Sequence, residues 1–191
     1  MTGPGQTLGW NRRGAKAGFL MSTARVLVPM CFTVFAFATG AHAQPVLEQL
    51  TGKVVGVSDG DTLTVLVQRD QSFEQIKVRV SGIDAPEKAQ AFGNRSKQGL
   101  SDCAFAKEVQ VEVIKLDRYR RSVGKVISLG TDCGLRQIEL GLAWHYKAYA
   151  RDQSFADRQS YAAAEDLAHE RKLGLWSDPA AIPPWEFRHP K

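Results

Sequence analysis

Three acidic side chains stand at the ends of two predicted strands, where they could act together. Asp61 follows an Asp-Gly pair and opens the run DTLTV, and Asp84 and Glu87 flank Pro86 in the turn after VRVSGI. Asp and Gly favour turns and β-branched residues favour strands, so the turn itself needs only the first aspartate. Carboxylate oxygens without a neighbouring His or Cys suit a hard cation such as Ca²⁺ rather than zinc.

Arginine side chains are predicted to lie beside these acids. If the two valines that flank Arg79 face a barrel core, Arg79 points to the opposite face of its strand. The segment DRYRRS adds Arg118, Arg120 and Arg121. Each motif alone is common in turns and on solvated surfaces. Together, a cation site and fixed positive charge are the groups needed to hydrolyse a phosphodiester, because both offset the charge of the phosphate.

Hydrophobic periodicity predicts a small barrel with helices. Alternating apolar residues indicate strands in 51–82, with QRDQS as a hairpin loop, and again in 109–116 and 123–129. Helical patterns occupy 91–107, 135–144 and a longer stretch that begins at the capping pair Ser154 and Asp157. About five strands, with one helix between the third and the fourth, predict an α+β, mainly β fold. This fold is a five-stranded Greek-key barrel of the OB type.

The first 43 residues have the pattern of a signal peptide. They hold four basic residues, no acid, an apolar run and a small-x-small site that ends at Ala43. We therefore predict a leader at 1–43, with Met21 as an alternative start, and cleavage after Ala43. A globular domain at 44–178 and a Pro-rich tail at 179–191 would follow, in a secreted or periplasmic protein. The alternative is an uncleaved anchor, although the apolar run is short for a membrane span.

Removal of this leader changes the charge and the cysteine content. The whole chain carries 25 basic and 20 acidic residues, whereas the part after Ala43 carries 21 and 20, a net charge of +1. The net charge therefore does not argue for nucleic-acid binding. Only a local patch of basic residues could do so. Cys103 and Cys133 remain, and an exported protein permits one bridge between them. Two unpaired buried thiols are the alternative.

The chain resembles the staphylococcal nuclease (thermonuclease) family. The resemblance rests on VSDGDTLTV, KVRVSGIDAPE, FGNRSKQGL, LDRYRR, GLAWHYKAY and KLGLW, which occur in the family's order and spacing over about residues 51–177. It implies an OB-type barrel with three helices. It also implies Ca²⁺-dependent hydrolysis of DNA and RNA that leaves 3′-phosphate products.

The resemblance assigns a role to each candidate site residue. Asp61, Asp84 and the backbone carbonyl of Ala85 would bind Ca²⁺. Glu87 would orient or deprotonate the attacking water, and Arg79 and Arg121 would hold the phosphate. Tyr119 and Tyr149 match positions where the family places tyrosines beside the nucleotide, although packing is an alternative for both rings. Arg118, which precedes Tyr119, would also bind the nucleotide.

Four positions depart from the best-known pattern of the family. Arg120 stands where the family has a glycine, which suggests a positive φ and a cost of about 1–2 kcal/mol for a non-glycine residue. Either the turn relaxes differently or Arg120 tolerates the strain, and Arg121 keeps the motif spacing although Arg120 could take its place. Ala85 replaces a threonine, a harmless change if only its carbonyl is used. Cys103 and Cys133 are additional, and the family fold packs their two positions together, which favours the bridge.

Two classes of function remain open from the sequence. The first is an exported, monomeric nuclease with no stable membrane association after cleavage, or its membrane-anchored form. The second is an OB-fold module that binds nucleic acid or protein without cutting. Non-catalytic members of the family lack the acid and arginine set that this chain retains, so we favour the enzyme.

Overall fold

A computed structural model describes residues 46–189 of the chain. The predicted leader, its cleavage site after Ala43 and the alternative start at Met21 lie outside the described residues. Eight β-strands follow one another in this part. They are β1 Glu48–Val57, β2 Thr62–Arg69, β3 Ser72–Val80, β4 Ile83–Asp84, β5 Glu108–Leu116, β6 Ser122–Ser128, β7 Thr131–Asp132 and β8 Trp144–His145.

Four α-helices lie between and after these strands within residues 46–189. They are α1 Gly93–Ala104, α2 Cys133–Glu139, α3 Phe155–Glu170 and the single turn α4 Pro184–Phe187, with 3₁₀ segments at Lys147–Asp152 and Gly174–Ser177. Ser154 caps α3 as predicted, because its side chain accepts the N–H of Asp157 at 3.0 Å. None of these helices is long and apolar enough to cross a membrane.

Five strands close into a barrel. Strand β1 pairs antiparallel with β2 and with β5, β2 pairs with β3, and β5 pairs with β6. A short parallel pairing of β3 with β6, at Val78–Ser122 to Val80–Gly124, completes the ring. The OB-type, α+β prediction is confirmed, and the three longer helices match the three that were expected.

Alternating side chains of the barrel strands form the core. In β3, Val78 and Val80 are fully buried whereas Arg79 lies on the other face, as the period-two pattern predicts. The largest buried side chains of the barrel and its helices include Leu50, Leu63, Val65, Leu100, Ile138 and Tyr161.

The second predicted helix is shorter than the sequence pattern indicates. It ends at Glu139 rather than at Trp144 because Gly141 adopts a φ of +63°, which breaks the helix. Trp144 then pairs with Asp84 as part of β8. The short strand β8, which pairs with β4 beside Asp84, therefore replaces the last turn of the predicted helix.

A disulfide bond joins Cys103 in α1 to Cys133 at the start of α2. The N-terminus of α2 is also capped, because the Asp132 side chain accepts the backbone N–H groups of Gly134 and Leu135 at 2.9 and 3.1 Å. The bond thus ties together two helices that both pack against the loop before β2.

Candidate active site

The Asp-Gly-Asp loop before β2 is held rigidly by the helices. The Asp59 carboxylate accepts the backbone N–H of Asp61 at 3.1 Å, which forms the turn. Gly60 has no room for a side chain, since a Cβ there would lie 1.8 Å from Ser96 Oγ in α1. Gln137 of α2 donates to the carbonyl of Gly60 at 2.8 Å. These contacts fix the backbone of the loop from which the Asp61 side chain extends.

The second acid lies on the strand beside this loop. Asp84 ends β4, pairs with Trp144 of β8 and is fully buried. The next residue, Ala85, donates its backbone N–H to Asp61 Oδ2 at 3.0 Å. Glu87 follows in the same turn and is about 40% exposed. The fold thus brings Asp61 and Asp84 together and places Glu87 at the solvent side.

Arg79 bridges the two aspartates from the outer face of β3. Its Nη1 atom lies 2.6 Å from Asp61 Oδ2, and its Nη2 atom donates to Asp84 Oδ1 at 3.0 Å. Because both nitrogens belong to one guanidinium, the two carboxylates lie on either side of the same planar group. The prediction that Arg79 points away from the barrel core agrees with these contacts.

Arg121 is held at the edge of the same site by Asp117. Arg121 Nε donates to Asp117 Oδ2 at 2.7 Å, while Asp117 Oδ1 accepts the backbone N–H groups of Tyr119 and Arg121. Burial acts to raise the pKa of Asp117, but these hydrogen bonds outweigh it and lower the pKa below its usual value. Arg121 Nη1 reaches Thr62 Oγ1 at 3.5 Å, and Thr62 donates to Asp61 Oδ1 at 2.9 Å. Thr62 therefore links Arg121 to the acids.

Arg120 adopts the left-handed backbone that its position predicted. Its φ is +61°, in the region that favours glycine. Its N–H donates to the carbonyl of Asp117 at 2.9 Å, so the turn that positions Arg121 needs this conformation. The strained residue is exposed, and the neighbouring Arg121 is the arginine that reaches the acids.

Replacement of Arg120 by glycine should therefore stabilise the protein. We expect Arg120→Gly to raise the free energy of unfolding by about 0.5–1 kcal/mol, measured by urea denaturation, because glycine adopts this φ without strain. Arg118→Gly is the matched control, since Arg118 is exposed in the same loop but is not among the positive-φ residues. The control should lose stability, and a loss of similar size in Arg120→Gly would contradict the assignment of strain.

The predicted nucleotide-binding residues lie in two separate groups. Tyr119 is 65% exposed, and the guanidinium carbons of Arg118 and Arg121 lie 4.9 and 5.5 Å from its ring centre. Tyr149 is 45% exposed, and Lys115 Nζ lies 4.7 Å from its ring centre. Among the described residues, contacts therefore join Tyr119, but not Tyr149, to the arginine cluster.

The donor set of the acidic site fits a hard cation. Burial and then repulsion by Asp61 raise the pKa of Asp59 to about 6, so the carboxylates are crowded. Burial also raises the pKa of Asp84, although Arg188 and Arg79 act in the opposite direction. A bound cation would relieve both effects. Within residues 46–189 no group of three His, Cys, Asp or Glu side chains is placed to hold a metal ion, so a cation here would need backbone and solvent oxygens besides the two aspartates.

Three residues of this site were not found from the sequence. Thr62 and Asp117 lie inside the motifs DGDT and LDRYRR. These motifs therefore could have indicated both residues, but site roles were predicted only for the residues beside them. Arg188 gave none, because it lies in the Pro-rich tail. Its Nη2 atom donates to Asp84 Oδ2 at 2.7 Å, and its Nη1 atom donates to Glu87 Oε1 at 2.7 Å.

Comparisons with known proteins show which proteins this chain is similar to. The model of the family described as "Staphylococcal nuclease homologue" matches residues 77–178. The chain is 39% identical over 153 residues to a micrococcal nuclease of Shigella flexneri, which covers 75% of this chain and 83% of that protein. It is 40% identical over 141 residues to an uncharacterized endonuclease of Haemophilus influenzae, which covers 74% of each chain.

A plant protein shares the same region as part of a longer chain. The chain is 36% identical over 118 residues to a probable staphylococcal-like nuclease of Oryza sativa subsp. japonica, which covers 62% of this chain and 34% of that protein. The similarity therefore extends to a protein in which this region is about one third of the length.

Proposed function

Because the chain belongs to the staphylococcal nuclease homologue family and is a nuclease, we propose that it is a Ca²⁺-dependent phosphodiesterase that leaves 3′-phosphate ends on DNA or RNA. The observation that supports this most is the set of contacts around Arg79, which brings Asp61 and Asp84 together, with Glu87 at the solvent side. A non-catalytic binding module has no need for buried acids beside arginines.

The proposed ligands of the cation are oxygen atoms alone. Asp61, Asp84 and the carbonyl of Ala85 would bind Ca²⁺ together with water, in keeping with the preference of this ion for oxygen. When bound, the ion would offset the negative charge of the phosphate and so assist attack on phosphorus.

The remaining residues would act directly on the substrate. Glu87 is partly exposed, so its carboxylate can receive the proton of an attacking water. Arg79 and Arg121 would donate hydrogen bonds to the phosphate oxygens as charge builds there, since a guanidinium can bind two oxygens at once. Tyr119, Tyr149 and Arg118 would contact the neighbouring bases or sugars, where stacking is worth about 1–3 kcal/mol per base.

The proposal also covers where the enzyme works. The leader 1–43 would direct export and be cleaved after Ala43, leaving the nuclease domain 44–178 with its tail 179–191 in the periplasm or medium. The secreted enzyme would be a monomer without stable membrane association. N-terminal sequencing of the exported protein tests the cleavage point directly.

Cleavage assays with defined metal ions test the reaction. We expect the purified protein to degrade single-stranded DNA with Ca²⁺, to stop with a chelator, and to leave 3′-phosphate ends in end-labelling assays. Asp61→Asn is a near-isosteric variant, because its amide oxygen can keep the hydrogen bond from the Ala85 N–H, while its NH₂ group can donate to the Thr62 hydroxyl instead of accepting from it. It should keep its melting temperature and lose Ca²⁺-dependent cleavage.

Two results would count against the proposal. Equal cleavage with Ca²⁺ and with chelator would remove the metal from the reaction. DNA binding by the folded protein without any cleavage would favour the binding-module alternative.

A further inference from the structure

The C-terminal segment places an arginine on the acids of the active site. Arg188 follows α4 and donates from Nη2 to Asp84 Oδ2 at 2.7 Å, and from Nη1 to Glu87 Oε1 at 2.7 Å and Asp84 Oδ1 at 3.3 Å. A guanidinium that binds two carboxylates through both of its terminal nitrogens is a strong and directional contact. Arg188 lies ten residues beyond the segment that the family model matches.

Aromatic packing holds this segment in place. The Trp185 ring centre lies 5.3 Å from that of Tyr146, in a stacked arrangement, and 6.4 Å from that of Trp144. Pro184 is buried, and the Gln90 side chain donates to the carbonyl of Ile182. Because Trp144 pairs with Asp84, the anchor of α4 lies directly beside the carboxylate that Arg188 contacts.

These contacts use the oxygens that a cation would need. Asp84 Oδ1 accepts from Arg79 Nη2 at 3.0 Å and Arg188 Nη1 at 3.3 Å, and Oδ2 accepts from Arg188 Nη2. The Asp84 side chain has no exposed surface, so it has no other face open to solvent. Of the two arginines, Arg188 is the more exposed, at 38% against 16% for Arg79, and is therefore easier to displace.

We propose that Arg188 competes with the divalent cation for Asp84. The cation binds Asp84 only after the Arg188 guanidinium has left Asp84 and Glu87. The proposal rests on the cation site of the proposed function. While the contact is closed, Oε1 of Glu87 is also engaged by Arg188, which makes that oxygen less available to accept a proton from water. The C-terminal segment thus raises the Ca²⁺ concentration that the enzyme needs. If the contact is closed about 90% of the time, the apparent Kd rises about tenfold.

Calorimetric titration of the full chain with Ca²⁺ alone, without nucleic acid, tests this competition. We expect Arg188→Ala to lower the Kd for Ca²⁺ about tenfold. Arg95→Ala is the charge-matched control, because Arg95 is an exposed residue in the first turn of α1 and has no ion pair to these acids. Its Kd should stay within about twofold of the original. Thermal melting checks that both variants fold.

The outcomes separate this proposal from the proposed function. A Kd that is unchanged or raised in Arg188→Ala, or one lowered equally in Arg95→Ala, would overturn the competition while the Ca²⁺ site stands. If neither the original protein nor Arg188→Ala binds Ca²⁺, both the cation site and the competition fail. Binding that is detected only in Arg188→Ala would support the competition in its strongest form.

Discussion

Glu87→Gln is expected to lower the cleavage rate by about 10²–10⁴-fold, the range typical for loss of a general base. An amide has nearly the shape of the carboxylate but cannot take a proton from the attacking water. The fold should be unaffected, because Glu87 is about 40% exposed and its side chain bonds only Arg188 among the described residues. Single-turnover cleavage of DNA at saturating Ca²⁺ measures the chemical step without product release.

Glu139→Gln is the control for this substitution. Glu139 is similarly exposed and also pairs with one arginine, Arg136 at 3.1 Å, but it ends α2. It should cleave at the original rate. A Glu87→Gln protein with a normal melting temperature and a cleavage rate within tenfold of the original would show that Glu87 is not the base.

Arg121→Ala is expected to lower the cleavage rate about 10²–10³-fold. This is the range typical for removing one group that stabilises the charge of a transition state. Arg121 is connected to the acids through Thr62 and is oriented by Asp117. The turn should survive the substitution, because Asp117 still accepts the backbone N–H groups of residues 119 and 121. Rates at saturating DNA and Ca²⁺ separate this effect from weaker binding.

The neighbouring Arg120 supplies the matched comparison. Arg120→Gly removes a guanidinium from the same turn and relieves its positive φ, so we expect its rate to stay within a few-fold of the original. Arg121→Lys should recover little activity, because an ammonium group lacks the planar fork of the guanidinium. If Arg120→Gly instead lost as much activity as Arg121→Ala, the roles of the two arginines would have to be exchanged.

Local patterns in the sequence predicted the features that depend on neighbouring residues. The alternation around Arg79 predicted its direction, Ser154 and Asp157 predicted the start of α3, and the family's glycine predicted the positive φ of Arg120. Each follows from backbone geometry or from a cap within a few positions along the chain.

Features that depend on tertiary contacts could not be predicted from local patterns in the sequence. The α2 pattern extended to Trp144, but pairing of that residue with Asp84 favours a strand after Gly141. Arg188 lies 104 residues from Asp84 in the sequence and reaches it only because Trp185 packs on the aromatic residues around β8. An arginine in a Pro-rich segment has no local signature that distinguishes it from a solvated side chain.

A crystal structure of the protein with Ca²⁺ would test the central claim most directly. We expect one cation bound by Asp61, Asp84 and the Ala85 carbonyl at about 2.3–2.6 Å, with water completing the shell. Arg188 should then have moved away from Asp84. A cation bound by other residues, or no cation at millimolar Ca²⁺ with the Arg79 and Arg188 contacts intact, would contradict it.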